Sequence, residues 1–214
     1  MTPEMLVQLV TVLVPLILSL TVHEYAHAAT AKWLGDDTAE REGRFTLDPT
    51  SHIDPFGSLL LPALLVVMNT GFWFGWAKPV PYNPLKFSRK IRMKHGVLLV
   101  AAAGPVSNLL LAVVCAALFS VFAGNDAARS FLGTCVLLNV LLFLFNLLPV
   151  PPLDGSKVAY GLLPDRWDGV LHFFQERPYM APMAFLAIFF FAGELIGPPM
   201  MAISEFLIRL FGGG

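Results

Sequence analysis

Charge is scarce in this sequence. Lys, Arg, Asp and Glu make up 14% of its 214 residues, against roughly a quarter in an ordinary soluble domain. With 56% of the residues hydrophobic, and several apolar runs near or beyond the ~20 residues a helix needs to cross a bilayer, an ordinary soluble protein is excluded. The net charge is −1, and no basic patch is interleaved with aromatics as single-strand binders require, so nucleic acid is excluded as a partner. Cysteine is scarce too. Cys115 and Cys135 lie in apolar runs without CxxC spacing, which reads as two free core thiols rather than a disulfide or a metal site. No Lys or Arg precedes Lys32. The apolar run 5–22 therefore lacks the basic start of a secretory signal, and the expectation is that this first span is retained. Internal repeats and low-complexity stretches are absent, and nothing suggests a second, soluble domain.

What is present reads as a series of membrane helices. Residues 5–33 form one long apolar helix interrupted by Pro15, with Gly35 as a stop. The polar, turn-rich stretch 36–55 predicts an interfacial loop with a short strand at 44–47. Residues 56–74 are apolar but broken by Pro62, Asn69 and Gly71, so they either span, dip in and return, or lie in a protein groove. A loop carrying Lys86, Arg89, Lys90, Arg92 and Lys94 follows, which the positive-inside rule places in the cytoplasm. Two strong spans, 95–123 and 131–148, form a hairpin about a short external turn. Residues 155–180 are a polar connection, and 181–211 is apolar again but broken by Gly197-Pro198-Pro199. That last run crosses either as two short spans or as one tilted span and a surface helix. The expected fold is an all-α polytopic membrane protein with about five to six membrane segments and a short β-strand or re-entrant region near the active site. It forms a single domain over 1–214, with its core motifs in 20–160.

The first long helix ends in His23-Glu24-Tyr25-Ala26-His27. Positions four apart share a helix face, so His23 and His27 can reach one ion. Glu24 lies ~100° around the helix, close enough to touch a ligand of that ion without binding it. This is the zincin arrangement of two imidazoles on the metal and a carboxylate on its water. A lone buried histidine is more often a packing residue. Three ionisable residues within five positions of a membrane span are costly, though, at ~2.5–3.5 kcal/mol each on insertion scales, which favours the metal reading. Catalytic zinc takes three protein ligands, and Asp154, returning at the end of a span, is the candidate third. Its alternative role, a turn or helix-cap residue before Gly155, is common for Asp. His52, in the polar loop, is a hydrogen-bond donor behind a metal ligand, an oxyanion partner or a rival third ligand, or else only a loop residue bonding the backbone near Asp54. His95 and His172 read as interfacial.

HEYAH, GPVSN at 104–108 and NLLPVPPLDG at 146–155, in that order, resemble the site-2 protease family of intramembrane zinc metalloproteases. HEYAHAATA, Gly35-Asp36, His52-Ile53-Asp54-Pro55 and Ala77-Lys78-Pro79-Val80 resemble its compact bacterial branch; no PDZ-sized insert and no nucleotide-sensing domain is present. The resemblance implies one Zn2+ held by His23, His27 and Asp154, with Glu24 as general base and Asn146 touching the substrate backbone or the oxyanion. Asn108 matches the family asparagine of GPxxN, or else makes an interhelical hydrogen bond, and Gly104-Pro105 serves close packing or a kink. It further implies a multi-pass protein of the bacterial inner membrane with its active site toward the cytoplasm. By parity, 56–74 is then re-entrant. The substrate is a membrane protein with a single transmembrane span, held as an added strand on an edge to which Gly75–Pro81, including Lys78 and Pro79, contributes, unless that stretch is a plain connector. Two alternatives remain: a non-catalytic membrane-helix binder of the same fold, against which an intact Glu24 and Asp154 argue, and a metal transporter, which would survive Glu24→Gln.

Overall fold

The structure is a computed structural model that describes residues 3–68, 75–165, 169 and 179–212. The breaks at Asn69 and Gly71, as well as His172, lie outside these residues. Helix α1 (Pro3–Trp33) runs unbroken through Pro15. Its buried face recurs at helical spacing through Val12, Leu16, Leu20, His23, His27 and Ala31, while Leu6, Val10, Val14 and Leu18 are exposed. The inward face therefore carries the polar groups and the outward face is apolar. This inversion suits a helix bathed in lipid, where polar atoms must find partners inside the protein.

After the short α2 (Thr38–Arg41) the chain forms turns rather than the expected strand at 44–47. Two Asp-Pro pairs account for the difference. The Asp48 carboxylate accepts from the Thr50 N–H at the start of a 3-10 turn (Pro49–Ser51). The Asp54 carboxylate accepts from Phe56 and Gly57 at the start of a π-helical turn (Pro55–Leu60), with proline in the first helical position each time. The π turn continues into α3 (Leu61–Val67). At roughly 1.5 Å per residue this apolar piece covers about 20 Å, short of a ~30 Å hydrocarbon core. Residues 75–83 form neither helix nor turn, and no β-strand occurs among the described residues.

The predicted hairpin is present as α4 (Met93–Val121) and α5 (Asp126–Asn146), joined by a turn in which the Asn125 side chain caps α5 through the Ala128 N–H at 3.0 Å. Their shared core includes Ala112, Ala116, Val136, Val140 and both cysteines, which are free thiols as expected. Helix α1 packs across α4 and α5. Helix α6 (Asp154–Leu162) is seated where a Cβ on Gly155 would strike the Leu147 carbonyl, and one on Gly161 the Leu98 side chain. Gly155 is thus required by close approach, not by a left-handed turn. Helix α7 (Met180–Leu210) runs straight through Gly197-Pro198-Pro199, so 181–211 is one helix rather than two. Among the described residues α1, α4 and α5 are long and apolar enough to cross a membrane, with Pro55–Val67 as a shorter apolar piece.

Candidate metal centre

His23 and His27, one turn apart on α1, meet Asp154 at the start of α6 across a sequence separation of 131 and 127 residues. Their Nε2 atoms lie 3.0 Å apart, and each is 3.1 Å from Asp154 Oδ2. Tetrahedral zinc with ligand bonds of about 2.0–2.1 Å separates its ligands by roughly 3.3 Å, so this triangle has the size of one such ion. All three residues are buried.

The outer nitrogens settle which atoms face inward. His27 Nδ1 is 2.7 Å from the Val100 carbonyl, which can only accept, so Nδ1 carries the proton. The Asn108 amide donates through Nδ2 to the Ser19 carbonyl at 3.3 Å and to Asn139 Oδ1 at 3.0 Å. Its Oδ1 is therefore the acceptor for His23 Nδ1 at 2.6 Å. Asn139 in turn donates to Ser19 Oγ and to the Cys135 carbonyl. Both Nε2 lone pairs point at a carboxylate oxygen, an arrangement that repels unless a proton or a cation lies among them. Such outer partners fix the tautomer and aim of metal-binding histidines. Gly104 completes the cradle, since a Cβ there would overlap His27 Nε2 and lie 2.6 Å from His23 Cε1 and Nε2. The donor set and its backing fit zinc.

Glu24 is buried beside the cluster, and its Oε2 accepts from the Val80 N–H at 2.8 Å. All four residues line a cavity of about 810 Å³. Asn146 and Pro79 also line it, with the Asn146 amide donating to the Leu142 carbonyl at 3.0 Å. Asn108 lies behind His23 as an interhelical link. His52 is not brought to the cluster. Its Nε2 donates to the Thr46 carbonyl at 2.8 Å, and its own carbonyl accepts from the Lys78 N–H at 2.9 Å. The Lys78 side chain and His95 are exposed.

Three participants escaped the sequence reading. Lys157, one turn after Asp154 on α6, lines the cavity with Nζ 3.7 Å from Asp154 Oδ1, and its i+3 spacing was the available signal. Asn139 sits one further link behind Asn108. The Val80 N–H is a backbone group. The sequence hint is that Val80 alone in 79–81 has an N–H to give, since both neighbours are proline.

Residues 120–189 match peptidase family M50. Over 209 residues the chain is 38% identical to a Bacillus subtilis protein named "Putative zinc metalloprotease YwhC", covering 92% of this chain and 89% of that one. It is 34% identical over 149 residues to "Putative zinc metalloprotease Rip2" of Mycolicibacterium smegmatis, covering 69% of this chain and 53% of that one. With the Rip2 of Mycobacterium tuberculosis the identity is 33% over 141 residues, 65% of this chain and 52% of that one. No solved structure matches the chain. From this kinship and the apolar helices, the chain belongs to peptidase family M50, the site-2 proteases, as a multi-pass bacterial membrane metalloprotease with zinc as its cofactor.

Proposed function

We propose that the protein hydrolyses peptide bonds in or near the transmembrane segment of single-span membrane proteins, with residues 1–214 acting as one protease domain. His23, His27 and Asp154 hold the zinc and Glu24 is the general base. The observation that carries this reading is the convergence of two imidazole Nε2 atoms, one carboxylate oxygen and a second, separately held carboxylate on one cavity.

A transmembrane helix bonds its amides internally, so the scissile segment has to be drawn out before it is cut. The non-helical stretch 75–81 offers it an edge. Among the described residues the Ala77 N–H and carbonyl have no partner, and Pro79 and Pro81 have no N–H to give. A substrate strand laid there would bond to the Ala77 peptide and pass Glu24. When bound, the zinc supplies Lewis-acid chemistry toward water and the scissile carbonyl. Glu24 keeps Oε2 on the Val80 N–H, takes the proton of the attacking water at Oε1, and returns it to the leaving amine nitrogen. The Asn146 amide, which lines the same cavity, serves the substrate backbone or the developing oxyanion. The basic loop 86–94 supports a cytoplasmic orientation of this face.

The test combines metal content with cleavage. Wild type, Glu24→Gln and Asp154→Ala, purified in detergent, are assayed for zinc and incubated with a panel of single-span membrane peptides. Zinc in wild type and Glu24→Gln, its loss in Asp154→Ala, and cleavage by wild type alone are expected. A Glu24→Gln protein that still cleaves would remove Glu24 from its role, and a wild type that refuses zinc would remove the catalytic reading altogether.

A further inference from the structure

A β-strand is normally held by the backbone of its neighbour; the stretch 76–83 is held mostly by side chains. The Ser58 hydroxyl donates to the Trp76 carbonyl at 2.7 Å, Arg44 Nη2 donates to the Lys78 carbonyl at 2.5 Å, the Glu24 carboxylate accepts from Val80, and Asp36 Oδ2 accepts from the Asn83 N–H at 2.6 Å. Backbone carbonyls contribute at two points, Gly57 to Trp76 and His52 to Lys78. The bonded peptide groups are those of Trp76, Lys78 and Val80, every second residue as along one edge of a strand, while Ala77 and Pro79 between them line the cavity.

Two of these holders are unusual. Arg44 is 7% exposed and has no carboxylate at ion-pair distance among the described residues; its Nε lacks any partner. A buried guanidinium is poorly retained for stability alone, and the hydrogen bond that the Arg44 guanidinium does make goes to the Lys78 carbonyl. Asp36 is 1% exposed, and while Oδ1 is used by Thr38, Oδ2 reaches across 47 residues of chain to Asn83. Arg44 and Asp36 thus hold the segment on either side of Val80, whose N–H holds Glu24.

We infer that Arg44 and Asp36 are positioning residues for hydrolysis: they clamp the two ends of 78–83 and so set the place of the Val80 N–H that directs Glu24. This rests on the role proposed above for Glu24. Neither residue touches the zinc ligands.

The experiment compares wild type, Arg44→Met, Arg44→Lys, Asp36→Asn and Glu24→Gln in detergent. It reads amide hydrogen exchange on the metal-free proteins, then zinc content and steady-state cleavage of a single-span peptide. The stretch is easily read because Pro79 and Pro81 carry no amide. In Arg44→Met and Asp36→Asn, exchange at Lys78 and Val80 is expected to accelerate at least tenfold while α4 and α5 keep their protection. Zinc content should stay at the wild-type level, kcat should fall at least tenfold with KM changed less than threefold, and Arg44→Lys should recover part of the loss. Unchanged exchange at Lys78 and Val80 would overturn the clamp, as would faster exchange with undiminished kcat. Loss of protection throughout α4 and α5 in both Arg44→Met and Arg44→Lys would overturn it as well, by making Arg44 a residue of general stability. Should wild type itself cleave nothing, the protease reading falls, while the exchange data from the same samples still uphold or overturn the clamp.

Discussion

At the metal centre three ionisable side chains lie within 3.1 Å of one another and are 5–9% exposed. Around the basic loop, by contrast, Lys86–Asp37, Lys94–Asp165 and Arg92–Asp165 pair at 2.9, 3.0 and 3.3 Å with at least one partner open to solvent in each. The distances are alike and the physics is opposite. An exposed pair exchanges water contacts for a charge contact and gains little. The buried cluster, two imidazoles on the inward face of an apolar helix and a carboxylate brought to them by α6, is largely withdrawn from water, so its groups call for a cation and ordered partners. What looks like one kind of interaction is a surface tether in one region and the reason for a cofactor in the other.

The sharpest way to break this comparison is to remove a member of the buried set. Asp154→Ala leaves two imidazoles without their carboxylate, and complete loss of stoichiometric zinc and of cleavage is expected, measured by metal analysis and a peptide assay. Glu24→Gln keeps the shape and one acceptor oxygen for the Val80 N–H. Zinc should be retained while cleavage drops by roughly 10²–10⁴-fold, the span typical of a lost general base. Retained activity would place the proton transfer elsewhere. One step further out, Asn108→Ala takes the acceptor from His23 Nδ1. A fall of about 10–100-fold in zinc affinity is expected, as for other outer partners of metal-binding histidines, read by competition with a chelator of known affinity. Unchanged affinity would mean that packing against Gly104 alone aims the ring.

These effects also follow how far each part was legible in the sequence. His23, Glu24 and His27 could be placed on one helix face because their relation is local and periodic, and the same logic gave the α4–α5 hairpin. Asp154 joins them from 127 residues beyond His27, a contact that no local rule supplies; the ordered motifs and a chemical need for a third ligand pointed to it. The strand expected at 44–47 lost to two Asp-Pro caps within the next ten residues, a competition that propensity alone does not resolve. Gly197-Pro198-Pro199 suggested a break, yet α7 continues through it; proline is tolerated in helices of the membrane when neighbouring groups satisfy the freed carbonyls. The holders of 76–83 were hidden for another reason. Arg44, Asp36 and Ser58 act on backbone atoms, and backbone partners leave no residue pair to read.

The surface side of the comparison yields the smallest effect. Lys94 and Arg92 hold the Asp165 carboxyl below the usual carboxylate range, through the hydrogen bond to Lys94 first and the charges of Lys94 and Arg92 next. A group whose folded value is depressed adds stability that is present above its unfolded value near 3.9 and is lost as the pH falls through the lower, folded one. Asp165 is fully exposed to solvent, so the gain is screened. Asp165→Asn should leave zinc content and cleavage at neutral pH unchanged and shift the melting temperature by no more than about 1 °C. The wild-type advantage should begin to shrink as the pH falls below the unfolded value near 3.9 and be gone below the lower value at which the paired carboxyl takes up its proton. Thermal melts of the two proteins at pH 7 and across the acid range decide it. A large gap at pH 7 would mean that the link from the end of α6 to the start of α4 holds Asp154 in place, and the tether would then belong with the buried set.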